Sequence, residues 1–294
     1  MFRKFITLAC IAALALSCGK DGGNASSRPI NLRVSAADAT RSLPVTTQNI
    51  SIFEVMATAD SKYHDLEGEY PAGLYFTDVV RKSGGTWVMD DQHLWLNKVN
   101  IHLWCYSPLD LDTAASGVLS VSTPSTGSDK LQFTYAMPSA VAGSDATNQK
   151  DIVFAGNSES RSLDGDKISG HTSSNPAYKR EDNEVDVVFY HPLSEIRFAV
   201  SPTDGSFDTE RLGIGEVTIG NVSGSGKCSF TLPSTFAWSD LGAADKHYSQ
   251  AYNATFASKP DGWTAGTFGD SQTIYVCDNA FFVIPQTLTG RVLT

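Results

Sequence analysis

Beyond its first eighteen residues the sequence has no long run of Ala, Leu, Glu and Lys at helical spacing, which argues against a helical body. Charge is scarce, with Asp, Glu, Lys and Arg at 18% of 294 residues and a net charge of −10. No Lys/Arg cluster forms a track for phosphates, so nucleic acid is not a partner class. Cysteines are few. Cys10 and Cys18 fall at the N-terminus, and Cys105, Cys228 and Cys277 are spaced unlike any zinc site. A Cys228–Cys277 bridge and buried free thiols both stay open. The chain has no G-x-S-x-G, H-E-x-x-H or P-loop motif. No Ser, His and Asp stand out as a triad. His64-Asp65 with Glu67 and Glu69 reads as a solvated loop, and Asp164-Gly165-Asp166 as a turn, since no downstream Glu completes a calcium loop. The expectation is a protein without catalytic residues, metal or cofactor.

Gly, Ser, Thr and Asn are abundant, a mix that favours strands joined by turns. The N-terminus is organised differently. Arg3 and Lys4 precede an apolar run from Phe5 to Leu16, and Ser17 precedes Cys18. The run is too short to span a bilayer and has signal-peptide length. The order is that of a bacterial lipoprotein signal, although Ala15 stands where Leu is usual. Cleavage is expected before Cys18, whose thiol takes a diacylglycerol, and two or more acyl chains anchor stably. Gly19 in place of Asp gives no reason for retention at the inner membrane. Residues 1–17 are therefore read as signal and 18–29 as a lipidated, polar tether.

Alternation then marks the strands. Ile30-Asn31-Leu32-Arg33-Val34 is the first, and Ile50 to Val55 the second. Trp87-Val88-Met89 and His93 to Leu96 read as a hairpin across Asp90-Asp91. From Lys98 to Tyr106, Val99, Ile101, Leu103 and Cys105 face one way, while His102, Trp104 and Tyr106 face the other. Residues 111–130 read as a Ser/Thr/Gly-rich loop, followed by strands at 131–135 and 152–154. The polar stretch from Asn157 to Asn183 separates two halves, 30–180 and 181–294. In the second, strands are expected at 185–190, 196–200, 215–219, 227–230, 273–277 and 281–284. Short strands with turns about every ten residues predict an all-β chain of two tandem β-sandwiches.

Several segments, in order, resemble the fimbrillin family of Bacteroidales, the subunits and accessory proteins of type V pili. They are the lipoprotein signal followed by a strand and Ala39-Thr40-Arg41, and the strands around Trp87, Trp95 and Trp104 leading to Tyr106-Ser107-Pro108. The segment Val185-Asp186-Val187-Val188-Phe189-Tyr190-His191-Pro192-Leu193-Ser194-Glu195-Ile196-Arg197-Phe198 follows, then Gly220 to Gly226 and Val283 to Leu288. The resemblance implies two transthyretin-like β-sandwich domains, the second incomplete toward Thr294 because the family normally continues through further strands. It also implies assembly by strand exchange. A trypsin-like protease would cut at Arg41, the strand bearing Ile30, Leu32 and Val34 would leave the core, and a neighbouring subunit's strand would fill the groove.

On this resemblance the chain is a structural or accessory (anchor or tip) subunit of cell-surface fimbriae. It is lipid-anchored at the outer membrane and supports adhesion to a host or bacterial surface ligand. The rival reading is a monomeric surface lipoprotein that binds glycans or host proteins, with Trp104 and Tyr106 as a stacking platform.

Overall fold

The computed structural model describes residues 25–36, 50–64, 69–96, 98–139, 149–156, 162–164, 167–169, 184–196, 199–200, 216–251, 256–257, 274–276, 281–288 and 292–293. Every regular element among them is a strand, so the chain is all-β. A central five-stranded antiparallel sheet runs in the order Val153–Gly156, Ile101–Ser107, Ile52–Ala59, Gly73–Ser83, Thr86–Met89. A second runs Asp112–Thr113, Gly117–Val121, Lys130–Ala136, Ser225–Thr231, Thr235–Ser239. Its first two strands lie in the stretch expected to be a loop, where half-buried Leu119 and Val121 alternate with exposed Val118 and Ser120.

The expected hairpin from Trp87 to Leu96 does not form. Thr86–Met89 pairs back on Gly73–Ser83, and Leu94–Leu96 pairs with Ala25–Pro29. The cause is local. Gly84 and Gly85 take φ of 58° and 90°, the left-handed pair that a two-residue hairpin turn requires. Asp90-Asp91 instead carries the chain off the sheet, where Asp91 N donates to Asp78 Oδ2 at 3.0 Å.

Both faces of the central sheet are covered. Phe53, Val55, Ala57, Leu103 and Cys105 point into one core, and Met56, Trp104 and Phe154 into the other. The second core lies against the other five-stranded sheet. There Phe154 stacks on Phe133 at 4.1 Å between centroids, and Trp104 meets Phe230 edge-on at 6.0 Å. The first core is closed by a parallel pair, Asn31–Ala36 on Glu184–Phe189. Both this pair and the pairing of Lys130–Ala136 with Ser225–Thr231 cross residue 180, so the stretches 30–180 and 181–294 interleave in the sheets.

Candidate functional site

The second described strand, which follows Ala25–Pro29, has an unusual seat. Asn31–Ala36 pairs residue for residue with Glu184–Phe189, from Asn31 opposite Glu184 to Ala36 opposite Phe189. Alternation puts Leu32 inside and leaves Asn31, Arg33 and Ser35 exposed. Ile30 is 2% exposed and Leu32 8%, and Val34 packs partly buried against the same core. Burying a side chain of this kind is worth about 1.5–3 kcal/mol relative to exposure. The facing strand contributes Val185, Val187 and Phe189 to that core, and Phe189 meets Phe53 edge-on at 5.2 Å. On the outer side Arg33 Nη1 lies 3.3 Å from Asp186 Oδ1.

Following the wall of this core shows what holds the strand. The five central strands run from Thr86–Met89 round to Val153–Gly156. Phe154 N donates to Tyr190 O at 2.9 Å and Tyr190 N to Phe154 O at 2.8 Å, which joins that edge to the 184–189 strand. Asn31–Ala36 comes next and runs close beside Thr86–Met89, which completes the circuit. Among the described residues no backbone pairing links these last two strands. Asn31–Ala36 is thus a stave hydrogen-bonded along one edge, with an open seam along the other. At the seam a cleft of about 370 Å³ is lined by Pro29 to Leu32 and by Trp87 to Gln92. Ile30 N donates to His93 O at 2.8 Å and tacks down the start of the strand. What holds this stave is one row of backbone hydrogen bonds and the apolar positions it fills.

Cys18 and Arg41 lie outside the described residues. The stacking platform is corrected: Trp104 is fully buried, and Tyr106 is partly buried against the same core. Alternation pointed Trp104 away from the first core correctly, but a second sheet covers that face. Cys105 and Cys228 are free and buried. Burial pushes the Cys105 thiol up, and that of Cys228 up to about 12, so neither is a reactive thiolate at neutral pH. Cys277 lies outside the described residues.

Three histidines sit beside aspartates. His93 Nε2 is 3.0 Å from Asp78 Oδ2, and His191 Nδ1 is 2.6 Å from Asp151 Oδ2. His102 Nε2 is 2.8 Å from Asp60 Oδ1 without hydrogen-bonding alignment. Each pair ties one strand or strand end to another, and among the described residues no three of His, Cys, Asp and Glu converge on a metal-sized site.

Asp186, on the hydrogen-bonded edge of the stave, is the residue that sequence reasoning missed. Its signal was the matching alternation of Leu32-Arg33-Val34 and Val185-Asp186-Val187, which puts opposite charges on the outer face once the two strands pair.

No protein-family model matches the chain, and no curated protein matches it. Among solved structures, the crystal structure of a candidate adhesin from Bacteroides thetaiotaomicron is similar over 92% of this chain and 76% of that chain, at 11% identity and a TM-score of 0.43. That of a candidate cell-adhesion protein from Bacteroides uniformis is similar over 90% of this chain and 78% of that chain, at 12% identity and a TM-score of 0.42. Likeness of this degree leaves family and function unassigned.

Proposed function

We propose that the chain is a structural or accessory subunit of a cell-surface fibre, assembled by β-strand exchange and supporting adhesion. The observation that carries this reading is the seat of Asn31–Ala36. It fills an apolar groove, pairs along one edge only among the described residues, and lies within the first strands of the chain. The lipoprotein-type signal supports export with Cys18 lipidated and the precursor held at the outer membrane. Arg41, five residues past the strand, is the proposed cut. Cutting there frees the body from lipid and strand together, and a strand from a second subunit takes the vacated place. The work is done by a groove and a strand, without catalytic residues or cofactor. The rival reading, a monomeric glycan binder, loses its proposed platform because Trp104 is buried.

Trypsin treatment of the purified full-length precursor tests this. The expected result is a ladder of heat-labile oligomers after cleavage at Arg41, absent in an Arg41→Ala variant. A cleaved protein that stays monomeric at high concentration would overturn the proposal.

A further inference from the structure

We infer that Asp186 sets the register of the groove and selects its occupant. The occupant is an extended peptide running parallel to Glu184–Phe189. It carries apolar residues at three alternate positions and a basic residue between the second and third. This rests on the strand-exchange reading above and adds to it a rule for which strand fits.

The rule follows from the resident strand. Ile30, Leu32 and Val34 supply the apolar positions, and Arg33 supplies the basic one. A slip of one residue turns every apolar side chain outward, so the apolar positions alone forbid it. A slip of two residues restores the faces and escapes that control. In one direction such a slip moves the basic residue from Asp186 to Val188, which removes its acidic neighbour. In the other direction it sets the basic residue against Glu184 and puts the smaller Ala36 where Val34 packs against the core. Lost charge pairing against one slip and lost apolar packing against the other leave one register.

The pair lies on the outer face, with 53% of the Arg33 and 37% of the Asp186 side chain exposed. An exposed pair contributes little to overall stability. A like charge set directly opposite is unfavourable, however, so Asp186 acts mainly by rejecting acidic occupants. The hydrogen bonds and apolar positions provide affinity, and Asp186 provides the choice.

Full-length protein carrying a site-specific protease sequence in place of residues 42–48 is cut in the presence of a labelled peptide of residues 28–37. The cut chain is expected to take up this peptide, and to take up its Arg33→Glu version roughly tenfold less well. In an Asp186→Arg chain the preference is expected to reverse. Equal uptake of both peptides would overturn the assignment of Asp186 while leaving strand exchange standing. Uptake of neither would overturn strand exchange and this inference with it. A second measurement needs no cut. Backbone amides of residues 31–36 in the intact chain should exchange hydrogen several-fold faster in Arg33→Glu and in Asp186→Arg, and return toward the parent rate in the double variant. Unchanged rates in both single variants would also overturn the inference.

Discussion

His191 Nδ1 stands 2.6 Å from Asp151 Oδ2, with only 12% and 4% of the two side chains exposed, and so ties the end of the Glu184–Phe189 segment to the chain just before Val153–Gly156. Removing one partner leaves the other's buried polar group without its hydrogen bond, which costs about 1–3 kcal/mol. Asp151→Ala should lower the stability read by urea denaturation by about that amount. The doubly substituted Asp151→Leu, His191→Leu chain should lose much less. Equal losses in both would mean that the pair contributes only bulk.

Trp104 fills the space between the two five-stranded sheets against Phe230. Trp104→Ala should cost about 3–5 kcal/mol in chemical denaturation. A loss under about 1 kcal/mol would place the ring at the surface.

Leu32 anchors the stave. Leu32→Ala should cost about 2–3 kcal/mol, and the effect should be local before it is global. Amides of Asn31–Ala36 should exchange faster while those of Ile52–Ala59 keep their protection, because local openings draw on few contacts. Uniform loss of protection would show that the stave and the central sheet open as one unit.

Tyr135 is 2% exposed, and burial pushes its hydroxyl up from the ordinary value, with the neighbouring Tyr248 and Asp151 adding to the shift. The folded chain therefore holds this proton at a pH where the unfolded chain releases it, near 10. Tyr135 leaves stability unchanged below about pH 10 and lowers it as pH rises beyond. Tyr135→Phe should flatten the alkaline slope of unfolding free energy by up to about 1.4 kcal/mol per pH unit. An identical slope in the variant would mean that the hydroxyl ionises freely in the folded state.

Alternation alone was enough to identify Lys130–Ala136 and Glu184–Phe189 as strands and to turn Ile30 and Leu32 inward. It failed where pairing is decided at a distance. Trp104 sits among polar neighbours at period two, and nothing local announces that a second sheet, part of it drawn from residues 225–239, will cover that face. Gly73–Ser83 went unread because charged Asp78 interrupts its buried face between Phe76 and Val80, and the decisive signal, Gly84-Gly85, lies just beyond it. The parallel contact of Asn31–Ala36 with Glu184–Phe189 was illegible for the same reason. A strand's sequence shows which side it buries, and its neighbour is chosen by the rest of the chain.

That contact also orders events in time. The partner of Asn31–Ala36 lies about 150 residues further along the chain, a separation whose closure is slow. A chain emerging N-terminus first can pair Ala25–Pro29 with Leu94–Leu96 early, but Asn31–Ala36 has no strand to pair with until Glu184–Phe189 has been made and docked on Val153–Gly156. Asn31–Ala36 is then the last stave of this core to be seated, and a strand that folds in last, on a single edge, is the one a competitor can meet before it arrives.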